Sequence, residues 1–306
     1  MLFFTFYAFV LLAFMGCTQE QPGYEIVASW AVGAGVQDSL QEPMGIGVGP
    51  DGFVYVSDVR AGRVIKYSAE GRFVLAWGDT EGKAGTLSRP FDVAVGNDGT
   101  VYVVDFDLDR VVAFDPDGRF LTTWGSAGEA PDQFNSPSGV GTGPGGEVYV
   151  ADFQNHRIGV FDSEGNLLRV IGAEGHESGE LYYPTDATVV DKKTLWVSDA
   201  YNYRIHAFSL DGQAITSVGT QGIGPGQFNV PVSIAGGLEG ILHVADSENH
   251  RLVAVTESGE QLAEFSIPGG RGNGRNTPAH IAVGPKGLLY VTDPAHARVL
   301  VVRWRR

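Results

Sequence analysis

The chain has 306 residues, with 36 Asp and Glu against 21 Lys and Arg, giving a formal net charge of −15. That balance argues against a partner gripped by its phosphate backbone, so no nucleic acid is expected. A single cysteine excludes an internal disulfide, and 43 glycines among short apolar runs, with no long 3.6-residue period, exclude a helical core.

Residues 1–15 are almost wholly apolar and uncharged. They fall short of the roughly 20 residues that span a bilayer, and read as the core of a signal peptide. Gly16-Cys17 after such a core resembles the lipobox of bacterial lipoproteins. The resemblance implies that residues 1–16 are removed, that Cys17 is lipidated, and that 17–23 tether the protein to a bacterial membrane, periplasmic or at the cell surface. No Lys or Arg precedes the core, and Phe14 stands where that family has Leu. An upstream start and an uncleaved anchor therefore stay open.

From Tyr24 the chain repeats with a period of 47 residues. Prolines open the unit at Pro43, Pro90, Pro137, Pro184, Pro231 and Pro278. Aspartates follow at Asp58, Asp105, Asp152, Asp199, Asp246 and Asp293, and arginines at Arg63, Arg110, Arg157, Arg204, Arg251 and Arg298. Within one unit, apolar runs over 140–142, 148–151, 157–161 and 167–171 are separated by Pro, Gly and Asp turns, the signature of a four-stranded antiparallel meander. A large apolar residue fills one phase of strand four: Trp77, Trp124, Ile171, Val218 and Phe265. One period before Trp77 lies Trp30, so 25–30 is a fourth strand without its first three, and the unit opened by Pro278 lacks its fourth. Pairing the two predicts a closed ring: an all-β, six-bladed propeller of four-stranded blades over residues 24–306, with no exposed seam.

The runs DFQNHRI (152–158) and DSENHRL (246–252), with P-x-G-(I/V) ahead and D-x-x-G behind, resemble the NHL repeat. The resemblance covers residues 25–306 and implies the same six-bladed fold. NHL propellers include RNA-binding modules, extracellular sensor domains of bacterial kinases, and the peptidyl-α-hydroxyglycine α-amidating lyase. Charge speaks against the first. That lyase takes zinc from histidines directly after the blade-opening proline in alternate blades. The matching positions here are Met44, Phe91, Ser138, Thr185, Val232 and Ala279, so that zinc site is absent and the reading leans away from an enzyme.

Function is expected where one blade breaks the pattern. The loop into strand one and the turn between strands two and three share a face, and these long loops define the expected working face. The repeated Asp-x-x-x-x-Arg pair reads as scaffold, with His156 and His250 supporting its turn. The second residue after the opening proline runs Gly45, Asp92, Gly139, Asp186, Ser233, His280. Asp92, Asp186 and His280 fall in alternate blades, a triangle about the axis that can hold a divalent cation, calcium or zinc, in the central channel. The lyase resemblance implies a channel calcium at this phase. The other reading is that each Asp caps a backbone N–H and His280 fills space.

The loop 267–277 is glycine-rich and suits an anion-binding nest, with Arg271 and Arg275 beside His280 and His296. In the loops of blade four, His176, Tyr182, Tyr183, Tyr201 and Tyr203 suit contact with a peptide, glycan or protein. No G-x-S-x-G, HExxH or CxxC motif occurs. Two functions are expected: an envelope-anchored binding or sensor module working through the long-loop face, or a metal-dependent lyase or hydrolase at the channel mouth.

Overall fold

The computed structural model describes residues 22–31, 39–79, 82–268 and 277–305. The signal segment, Cys17 and the arginines Arg271 and Arg275 lie outside the described residues. The described residues form six four-stranded antiparallel sheets, each a meander in chain order except at the seam. There the strand Gly23–Ala31 pairs antiparallel with Arg298–Arg305 and completes the last blade. The predicted propeller and its mode of closure are both present.

Each blade starts on the axis and ends at the rim. In blade one the strands are Pro43–Val48, Val54–Asp58, Arg63–Tyr67 and Phe73–Trp77. The middle strands are buried throughout, and their apolar residues accordingly stand next to one another, as in Val54-Tyr55-Val56 and Val64-Ile65, rather than alternating with polar ones. The core lies between blades: Tyr55, Val64 and Trp77 of blade one pack with Val93, Val103 and Phe114 of blade two. The Trp77 ring meets Phe114 edge-on at 5.8 Å. It also lies over Gly118, whose φ of +77° and bare Cα admit both the turn and the indole. At the seam the Tyr24 hydroxyl bonds His243 Nδ1 at 2.9 Å, and burial pushes that imidazole down to about 4.

The Asp–Arg pairs bind the two long loops of each blade together. Asp152 accepts the Asn135 N–H at 2.8 Å, the Asn155 side-chain amide at 2.8 Å and Arg157 Nε at 2.9 Å. Arg157 then donates to the carbonyls of Glu129, Ala130 and Gln133. Blades four and five repeat this through Asn202 and Asn249. Blades one and two have Ala61 and Leu108 at the Asn position, and there the pair opens to 3.8 and 3.6 Å while each aspartate takes two loop N–H groups instead.

Candidate functional site

The inner strands run from the long-loop face toward the short turns, so successive residues line the axis at successive depths. The first residue after each opening proline surrounds a mouth at the long-loop face. The second forms a ring directly beneath it. Later residues wall a narrower channel to the other face.

In the second ring, Asp92, Asp186 and His280 converge as the 94-residue spacing predicts. One donor atom from each lies within 4.8 Å of the other two, and all three residues are buried. His280 Nδ1 stands 3.2 Å from Asp92 Oδ1. The remaining oxygens hold backbone, as the capping reading expected. Asp92 Oδ2 accepts the Val140 N–H from the next blade at 2.9 Å. Asp186 accepts the Ala187 N–H, the Ser233 hydroxyl and the Ile234 N–H at 2.7, 2.8 and 2.9 Å. Capping and convergence therefore coexist: the acids stitch neighbouring blades and still present oxygens to one another. Burial pushes the Asp92 carboxyl up to about 6; His280 opposes the rise and Asp186 adds to it. Two carboxylates and an imidazole on one point are a donor set that fits a divalent cation.

The other half of this ring is small for a reason. A Cβ on Gly45 would run into the Cα and carboxylate of Asp92, and one on Gly139 would lie 2.7 Å from the Asp186 Cα. Ser233 completes the set by accepting the Ile281 N–H at 3.2 Å while donating to Asp186. Large and small alternate around the axis because six side chains do not fit.

Two cavities meet at this ring. A channel of about 290 Å³ contains Asp92, Asp186 and His280 and continues past Val48, Thr142 and Val190 toward the short-turn face. On the long-loop side lies a chamber of about 480 Å³, walled by Met44, Phe91, Phe106, Phe153, Val232 and Ala279. His280 borders both. The positions that carry no zinc histidines are thus the wall of an apolar mouth.

The chamber was missed because its wall draws on separate phases. Phe106 and Phe153 follow the strand-two aspartate, a position that reads Val59, Phe106, Phe153, Ala200, Ser247, Pro294 around the ring. Variability at an inward-facing phase was the available signal. Phe153 also links the chamber to the expected aromatic cluster, touching Tyr183 at 4.9 Å and Tyr201 at 6.4 Å. From there the rings run through His156, stacked on Tyr182 at 5.1 Å, to His176. His176 is pinned by Asn202, 2.6 Å from its Nδ1. His156 accepts the Tyr183 N–H at 3.0 Å, the supporting role expected of it.

Two predicted site residues hold positions of the repeated turn. Tyr203 occupies the left-handed turn position shared with His156 and His250, at φ +56°, and makes no ring contact among the described residues. His296 takes the place of the bracket asparagine, its Nδ1 2.9 Å from Asp293 Oδ2.

The NHL repeat family matches residues 134–161. Comparison with curated proteins finds no match. Among solved structures, a streptogramin B lyase is similar with a TM-score of 0.65 at 16% identity, covering 92% of this chain and 98% of that one. A catalytically inactive variant of virginiamycin B lyase from Staphylococcus aureus, with quinupristin, gives 0.63 at 18% over 92% and 99%. Hydrazine synthase of Kuenenia stuttgartiensis gives 0.60 at 16% over 89% and 98%. At these identities the likeness is one of fold. The chain is a six-bladed β-propeller that carries one NHL-repeat match, over residues 134–161.

Proposed function

We propose that the protein is a binding module of the bacterial envelope, anchored through Cys17, that takes a peptide, glycan or protein segment at its long-loop face. The chamber carries this reading. It is concave, apolar and central, and at about 480 Å³ it falls within the size range of ligand pockets, roughly 300–1,000 Å³. Its wall continues through Phe153 onto the half-exposed Tyr201, so an anchor side chain and its flanking residues both have a surface to meet. NHL propellers are in general a protein-binding scaffold.

The test is selection of displayed random peptides on the ring freed of residues 1–21, with a glycan array in parallel. Selected ligands should bind wild type and lose at least tenfold on Val232→Trp, which fills the chamber. Equal binding to the variant would remove the chamber from the account. Fatty-acid probe incorporation that persists in Cys17→Ser would remove the anchor.

A second reading rests on a separate observation, the convergence of Asp92, Asp186 and His280. In it these residues hold a calcium or zinc ion and the propeller is a lyase or hydrolase; the solved lyases of this fold are in keeping with that. A bound ion would supply Lewis acidity. Asp92 and Asp186 would supply its charge, and His280 alone would face both ion and chamber. Metal content after chelation and re-dialysis against calcium or zinc decides this reading. One ion per chain, lost in Asp92→Ala/His280→Ala, supports it; no retained ion, or equal uptake by the variant, contradicts it.

A further inference from the structure

Arg89 is the one side chain of full positive charge among the described residues lining the chamber, and none of those residues is a carboxylate. Its placement is built. The Arg89 N–H donates to Asp105 Oδ1 at 2.9 Å, and its carbonyl accepts the Phe106 N–H at 3.0 Å, which fixes the backbone on both sides. The guanidinium lies over the rings of Phe106 and Phe91, 4.8 and 5.7 Å from their centres, and those rings touch at 5.1 Å. A planar cation spread on two ring faces is held in orientation while its N–H edge stays available. Its ionic partner, Asp107, stands 3.6 Å away with both side chains about half exposed. Such a pair contributes little and yields readily to a better-placed acid.

An apolar chamber with one oriented guanidinium and no acid in its wall complements a ligand with an apolar body and one carboxylate. From the neighbouring blade three, Phe153 leads onto Tyr183 and the exposed Tyr201. We propose that the chamber captures the C-terminal residue of a peptide. The side chain fills the space between Met44, Phe91 and Val232, the free carboxylate bonds Arg89, and the upstream residues leave over Phe153 toward Tyr201. This rests on the binding reading above and names its ligand. An internal segment would have to enter and leave the same mouth, whereas a chain end enters once and brings the charge that Arg89 matches.

The experiment is fluorescence titration of the full chain in detergent with dansyl-Gly-Ala-Phe as the free acid and as the C-terminal amide. The acid should bind at least tenfold tighter, in keeping with one charge-assisted contact. Arg89→Gln should bring acid and amide within twofold without changing amide affinity, and Arg89→Lys should fall between. Asp107→Asn should tighten the acid alone, a gain that a misfolded variant cannot produce. Equal affinity of acid and amide for wild type leaves peptide binding standing and overturns the carboxylate assignment. Acid preference that survives Arg89→Gln overturns it too. Binding of neither peptide, or decanoate displacing the acid at concentrations below the peptide's own Kd, overturns the assignment to a peptide terminus, while the display selection still decides the binding reading.

Discussion

Gly45 of blade one stands directly against Asp92 of blade two, and the missing side chain of the first is the space the second occupies. Gly139 stands in the same relation to Asp186. Around the axis the small residues of blades one, three and five are therefore as much part of the ring as the acids and imidazole of blades two, four and six.

Gly45→Ala should push Asp92 off the axis. A Cβ there also lies 2.9 Å from the Phe91 carbonyl, which belongs to a strand and has little room to move. Overpacking of this kind costs about 1–3 kcal/mol. Denaturant unfolding should show that loss, and a variant as stable as wild type would mean the ring is looser than the contact implies.

Asp92 gives stability a pH dependence opposite to that of most carboxylates. Its folded value, pushed up to about 6 by burial, exceeds the roughly 3.9 of an unfolded aspartate. The folded state thus holds more protons between those values, and the contribution of this group falls as pH rises from about 4 to about 6. Asp92→Asn should remove that slope. In chelator at pH 7 it should be more stable than wild type by about 1–3 kcal/mol, the size of a shift of about two pKa units or less. Chemical denaturation at pH 4, 5, 6 and 7 checks this, and parallel curves for the two proteins would contradict it.

The long loops should depend unequally on their brackets. Arg204 Nε lies 2.7 Å from Asp199, which also holds Asn202, whereas Arg110 lies 3.6 Å from Asp105 with Leu108 at the Asn position. Removing one partner of a buried pair costs about 3–5 kcal/mol. Arg204→Ala should approach that figure and Arg110→Ala should stay nearer 1 kcal/mol, as for a longer, partly exposed pair. Equal losses in urea melts would show that the asparagine adds nothing.

The fold was legible because the 47-residue period fixes backbone geometry six times over. Asp58, Asp105 and their successors end the same strand in each blade, and Trp30 identified the strand that closes the ring. The meeting of Asp92, Asp186 and His280 was legible for the same reason: equal phase in alternate blades brings residues to one height on the axis. The chamber was not, because Met44, Arg89 and the pair Phe106 and Phe153 come from three different phases of the repeat and come together only at the mouth. Tyr203 shows the converse. Its neighbours in sequence mark it as one of a group of aromatics, whereas its phase is that of the left-handed turn residue, shared with His156 and His250.

In the proposed function, ligand enters the chamber from the long-loop face. The chain has three methionines, and without residues 1–21 only Met44, in the chamber wall, remains. The most direct measurement is the 13C-methyl resonance of Met44 during titration with a peptide ending in Phe. The methyl signal should shift saturably with the same midpoint as dansyl fluorescence, and Val232→Trp should abolish the shift. A methyl signal that stays fixed while the peptide binds would place the ligand elsewhere and contradict entry into the chamber.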